Sequence, residues 1–439
     1  MTTMRLLPLT LAISTMLALP AQAQSLVDLF QAAKAYDASY QSAKSQFEAT
    51  LAKGEQARAG LLPSVNLSSA INRTSIDSDL TSANHPYGNQ GVTLSASQPL
   101  YRPANVAAAE QGKKQAAVAQ AQLDAADQDL VVRVSQAYFD VLAAQDSLDF
   151  VKAQKSAISE QLASAKRNFE VGTSTITDTR EAQAQFDLVL AQEIAAENDL
   201  RVKKLALDQV TGQSAATPKP LHLPATLPAL SPNNVSPWVA DSEDNHPSVR
   251  QARLALEVAE LETQKAQAGH KPTLDLTGSY GSTQNNGSSS LTTDYHTNVA
   301  TVGLSFTLPL FAGYALQNRV KETVALEEKS RADLDASRRN VAQATRSAFY
   351  GVQSGLAQVA AYEAAEASSQ SSLDATKLGY QVGVRINIDV LNAQTTLFDT
   401  KTKLAKARYD VLMGILKLRQ ANGSLKEEDI NAINALLER

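Results

Sequence analysis

Hydrophobic positions along this chain follow two periods. Leu130, Val134, Ala137, Val141, Ala144, Leu148, Val151, Ile158, Leu162, Ala165 and Phe169 step alternately by four and three, with Lys155 as the one interruption. Such steps keep a single stripe of a helix turned to a partner over many turns, so the pattern from Pro103 to about Asn168 predicts a long helix with coiled-coil packing. Shorter helices are predicted over 26–60, with Gly60 as C-cap, and from Ile176 to Gly212. The second period is two. Val65, Leu67 and Ile71 alternate with Ser64, Asn66 and Ser68, and Val92, Leu94 and Ala96 alternate with Thr93, Ser95 and Ser97. Each run reads as a strand with one apolar face, and the polar stretch 72–90 joins the two into a hairpin within 62–101.

The whole programme then recurs. Ala57–Leu67 returns as Ala266–Leu276, Val92–Ser95 as Val302–Ser305, Ala137–Val141 as Ala348–Val352, and Phe169–Ala182 as Tyr380–Ala393. The offset stays between 209 and 211 residues, the mark of a tandem duplication. The expected organisation is a first repeat over 24–212, a proline-rich connector over 213–240, a second repeat over 241–423 with its hairpin at 273–311, and a tail over 424–439. Residues 1–23 read as an export signal: Arg5, an apolar run from Leu6 to Leu19, then Ala21-Gln22-Ala23 as the cleavage site. No later stretch has the roughly 20 apolar residues of a membrane-spanning helix.

Composition narrows the chemistry. The chain has no cysteine, which excludes disulfides, thiolate metal sites, cysteine nucleophiles and a lipid-modified N-terminal cysteine. A net charge of −5 argues against a nucleic-acid partner. The five histidines show no metal-ligand spacing, although His85 and His296 fall in equivalent loops. No phosphate-binding loop or nucleophile elbow occurs. The sequence therefore predicts no enzyme, no cofactor and no metal, with any energy for transport supplied by partners.

Helix lengths suggest a shape. The helix from 103 to 168 would be roughly 100 Å long and the flanking helices about half that, so two short helices stack beside each long one. The strands, at about ten residues, have bilayer-spanning length and carry aromatics (Tyr101, Tyr280, Phe311) assigned to their ends. Four strands cannot close a barrel, and open edges cannot lie in lipid. Several chains must therefore share one barrel.

Over essentially its whole mature length the chain resembles the TolC family of outer-membrane channel-tunnel proteins, in its non-lipidated branch. The resemblance is most specific in Phe169–Ala182, Tyr380–Ala393 and the tail Gly423–Asn434. It implies a mainly α protein joined to a membrane β-barrel: a homotrimer with a shared 12-stranded barrel and a periplasmic α-helical tunnel. It also implies an exit duct for type I protein secretion or multidrug efflux, served by a periplasmic adaptor and an inner-membrane ABC or proton-driven pump. Thr177, Asp178, Tyr380 and Arg385 match a gate latch. Asp389 matches a ring of acids at the periplasmic entrance, with Asn392 where relatives carry a second acid. Val171-Gly172-Thr173 and Val382-Gly383-Val384 match adaptor-docking turns. Each assignment has a plainer alternative: the acids as helix-start residues, Arg385 as a solvated turn residue, the glycines as backbone reversals. The rival function is a trimeric coiled-coil spacer without transport activity; a periplasmic adaptor would need a small β domain that the pattern lacks.

Overall fold

The structure is a computed structural model and describes residues 24–76, 86–222, 227–288 and 291–437. The expected export signal over 1–23 and His85 lie outside the described residues. Among those described, no helix is long and apolar enough to cross a membrane.

The first repeat runs α1 (Leu26–Tyr36), α2 (Ala38–Ala59), β1 (Ser64–Thr74), β2 (Tyr87–Tyr101), α3 (Pro103–Glu170) and α4 (Ile176–Thr211). The second runs α5 (Val235–Asn245), α6 (Pro247–Ala268), β3 (Thr273–Asn286), β4 (Asp294–Thr307), α7 (Ala315–Gln381) and α8 (Asn387–Ala421), and α9 (Glu427–Asn434) follows. The 68 residues of α3 and 67 of α7 make helices of about 100 Å. Pro103 at the first turn of α3 fits a position whose N–H has no intrahelical partner.

Four features differ from the pattern-based reading. The helix expected over 26–60 is two helices, broken at Asp37, whose ψ of 116° is extended. Asp37 caps α2 through the Tyr40 amide (2.8 Å) and accepts two bonds from Arg133 of α3 (2.8 and 3.0 Å), so the kink is held from outside. The second repeat breaks at the matching place, His246-Pro247, where the imidazole Nδ1 accepts from the Ser248 amide at 3.1 Å. Helix α5 starts at Val235, inside the stretch read as connector, and Pro237 sits in its first turn where proline does no harm. Tyr280 lies mid-strand opposite Ala300, and Phe311 lies beyond the end of β4, so neither marks a strand end.

The four strands form one antiparallel sheet in the order β1-β2-β3-β4, which leaves β1 and β4 as its edges. Register builds two contrasting faces. Leu67, Leu94, Tyr280 and Ala300 stand opposite one another across the sheet, as do Val65, Ala96, Gly278 and Val302. On the other face the same row positions hold Asn66, Ser95, Ser279 and Thr301. The apolar face is unpartnered: Leu67 is 72% exposed and Val302 81%. Below the sheet, Arg102 donates two bonds to Asp275 (2.7 and 2.6 Å) and ties the root of α3 to the start of β3.

The largest core lies midway along α3. Leu130, Val134, Tyr138, Phe139 and Val141 pack there against α1, the end of α4, the end of α8 and α9. Tyr138 donates to the Lys219 carbonyl (2.9 Å), and Tyr409 of α8 donates to Asp146 (2.7 Å), whose carboxyl burial pushes up above its ordinary range. Leu221 of the connector bridges to Leu437 of the tail. Connector and tail thus meet the same belt of α3, about 50 Å from the helical tips by the rise per residue.

Candidate functional site at the helical tips

Both long helices end in the same reversal. Val171 and Val382 are the last caps, and Gly172 (φ 75°) and Gly383 (φ 82°) follow in the left-handed region, where a Cβ would be strained. Gly172 N–H donates to Phe169 O and Thr173 N–H to Asn168 O; Gly383 N–H donates to Tyr380 O and Val384 N–H to Gly379 O. This paired closure is a Schellman motif made twice. It leaves Val171, Val382 and Val384 at 73%, 66% and 75% exposure, a largely exposed apolar tip.

After the turns the two repeats diverge. Asp178 and Asp389 occupy the same third position of their helices, yet only one is engaged as a cap. Thr175 precedes α4, and its hydroxyl and amide both bond the Asp178 carboxylate (2.9 Å each), while Ser174 Oγ donates to it at 2.6 Å. The Ser174 hydroxyl, with the Thr175 donors, holds the Asp178 carboxyl below its ordinary range. Before α8 stands Ile386, which has no hydroxyl to offer, so no box forms and Asp389 stays free of capping. Its nearest charge is Arg385 at 3.6 Å, a half-exposed pair of modest strength. The stem of Arg385 lies over Gly379, where a Cβ would come within 2.7 Å of its Cγ.

Within one chain the sequence-derived latch residues are thus distributed over three arrangements. Asp178 is in its capping box, and Thr177 is exposed beside it. Tyr380 packs near Leu373 and Val390 and accepts a long bond from Asn168 (3.4 Å). Arg385, just before α8, pairs with Asp389 in its first turn, and Asn392 is exposed one turn further along that helix. The residues that do join α8 to the first repeat were not singled out by sequence. Asn387 is fully buried, accepts from Gln161 (2.5 Å) and donates to the Asp178 carbonyl (3.1 Å); Thr395 accepts from Gln185 (3.1 Å). Between them Leu391 fills an apolar cluster with Ile158, Leu162, Ala182 and Val189. The spacing of Asn387, Leu391 and Thr395 by four was the available signal, masked because two of the three are polar.

Among the described residues no group of three or more His, Asp or Glu could hold a metal ion. His296 meets Ser282 across the sheet (3.1 Å). The sequence profile described as "Outer membrane efflux protein" matches twice, over residues 29–213 and 238–424, one match per repeat. The chain belongs to the outer membrane efflux protein family. Outer membrane protein TolC of Vibrio cholerae is 34% identical over 422 residues, covering 95% of this chain and 94% of that protein. The alkaline protease secretion protein AprF of Pseudomonas aeruginosa is 31% identical over 423 residues, covering 94% and 87%. In fold, the CmeC outer membrane channel of Campylobacter jejuni superimposes with a TM-score of 0.80 at 17% identity, over 94% of this chain and 90% of that one. VceC of Vibrio cholerae gives 0.78 at 19%, over 91% and 96%. The protein is accordingly an outer-membrane channel for efflux or secretion with a long periplasmic helical part, and the transport-free spacer is set aside.

Proposed function

We propose that three copies of this chain form a passive exit duct, whose twelve strands close one barrel and whose helical tips form its periplasmic gate. The observation that carries this reading is the sheet. It has bilayer-spanning strands, an exposed apolar face, a small polar face and two unpaired edges. Unpaired backbone groups in lipid cost several kcal/mol each, so β1 of one copy is expected against β4 of the next. In this reading the duct does no chemistry of its own. A periplasmic adaptor docks on Val171-Gly172-Thr173 and Val382-Gly383-Val384, and an ABC or proton-driven pump of the inner membrane supplies cargo and energy. Cargo falls in the range of type I secreted proteins and effluxed small molecules, in line with one relative named for alkaline protease secretion and another for efflux.

In the assembled gate, Thr177, Asp178, Tyr380 and Arg385 form the latch, and Asp389 with Asn392 lines the entrance. All three capping bonds of Asp178 fall on Oδ2, which leaves Oδ1 able to accept from a neighbouring copy, and Arg385, at 61% side-chain exposure and only loosely paired with Asp389, is placed to reach one. Combining Tyr380→Phe with Arg385→Ser should raise single-channel conductance of the purified trimer in planar bilayers. Unchanged conductance would remove these residues from the latch.

A further inference from the structure

The contact between the two helical hairpins of one chain, α3–α4 and α7–α8, differs in kind from the seams inside each hairpin. Those seams are mainly apolar, with ion pairs such as Lys155–Glu193 and Arg408–Glu363 along them. Between the hairpins α8 presents Asn387, Leu391 and Thr395 in one line, a buried amide, a buried leucine and a hydroxyl. Leu391 supplies attraction without register, since apolar contacts are non-directional. The hydrogen bonds supply register, because they tolerate little displacement.

Building on the gate reading above, we propose that Asn387 is a further gate residue, a buried clamp that locks α8 to α3 and α4 within the same chain. Its Oδ1 accepts from Gln161 Nε2 of α3 at 2.5 Å, and its Nδ2 donates to the Asp178 carbonyl in the first turn of α4 at 3.1 Å. One side chain at the first residue of α8 thus holds both helices of the other hairpin. The position is fully buried, whereas Arg385 two residues earlier is largely exposed. The Asn387 clamp is therefore shielded from salt, while the Arg385 contacts are screened by it. When the hairpins part, water replaces both amide bonds, so the clamp opens reversibly, yet a half-broken clamp leaves a buried polar group unpaired.

That asymmetry gives the test. Full-length trimers would be compared in planar bilayers as wild type, Asn387→Leu, Gln161→Leu, the double variant and Arg385→Ser, with heat resistance of the trimer as the control for assembly. Each single leucine variant keeps side-chain volume. Asn387→Leu strands the Gln161 amide and gives up the bond to the Asp178 carbonyl, and Gln161→Leu strands the Asn387 oxygen, so each should raise the frequency of open events by about fivefold to tenfold. The double variant is apolar on both sides and should return towards wild type. A packing role alone would lower heat resistance and leave open events unchanged, and that result overturns the proposal. So does a double variant as leaky as the two singles combined. Wild-type behaviour of the leucine variants beside a leaky Arg385→Ser removes Asn387 and spares the gate; no change in any variant, Arg385→Ser included, removes the gate itself. Should Asn387→Leu fail to assemble, Gln161→Leu alone decides, with open events at the wild-type frequency counting against the clamp.

Discussion

A single residue identity separates the two acids at the tips. Thr175 turns Asp178 into a cap, and Ile386 leaves Asp389 uncapped at the equivalent place. Two predictions follow from that difference. Asp178→Ala removes the acidic half of the capping box and a first-turn negative charge, and should cost about 0.5–1 kcal/mol of local helix stability. Because the folded carboxyl titrates below the ordinary value of 3.8, its contribution is complete above that pH and fades as pH falls through the lowered value. Protection factors from hydrogen exchange at the amides of residues 178 and 179 should fall in acid for the wild type and already be low at neutral pH for the variant; equal protection would refute the capping role. Asp389 serves no cap and pairs only loosely with Arg385, and in the proposed gate it faces the permeating ions. Asp389→Ala should reduce cation selectivity, and Asn392→Asp should add a second carboxylate per chain. The latter should lower the trivalent-cation concentration for half block by about fivefold, on the order of 1 kcal/mol. An Asn392→Asp channel that blocks like wild type would end the idea of a single charged ring.

Helices show where sequence periodicity reports structure and where it stops. Leu130, Val134, Val141, Leu148, Ile158 and Leu162 are buried as the four-three stepping predicts, because a heptad seam has one geometric solution along a helix of this length. Phe169 ends the same stripe yet is 43% exposed, since the partner helix reverses beside it. The break at Asp37 was illegible for another reason: it is held by Arg133, 96 residues away, whereas the break at His246 is local, with Pro247 opening the helix and the Ser248 amide on the imidazole. The tips were legible as turns through Gly172 and Gly383, but Asn387 was not legible as a clamp, because its partners come from two other helices. Lys155, the flaw in the apolar stripe, has a structural explanation. It pairs with Glu193 of α4, whose side chain is only 11% exposed. Lys155→Met should strand that carboxylate and destabilise the hairpin by about 2 kcal/mol, less than for a fully buried pair because the lysine is one-third exposed. Lys155→Met with Glu193→Met should recover most of the loss in thermal melting of the trimer. A double variant no more stable than the single would show that the pair does not act as a unit.

At the scale of the whole molecule, duplication solves a problem of edges. One repeat brings two strands and one long helix; two repeats bring four strands that pair as β2 with β3 across the internal boundary, leaving β1 and β4 open. The two sheet faces then assign inside and outside. The row Asn66, Ser95, Ser279 and Thr301 is small and polar, suited to a water-filled lumen, and the row Val65, Ala96, Gly278 and Val302 is apolar, suited to lipid. Neighbours in sequence, Thr301 and Val302, therefore make a matched pair for testing the assignment. Val302→Arg should place a charge in hydrocarbon at a cost of about 2–4 kcal/mol per chain near the midplane, and three such costs add in a trimer. Outer-membrane trimer recovered from cells should fall sharply. Thr301→Arg points the same charge into water; trimer yield should hold, and conductance should drop as three cations narrow the lumen and repel others. Loss of trimer from Thr301→Arg but not from Val302→Arg would reverse the two faces, and with them the direction in which the barrel is closed.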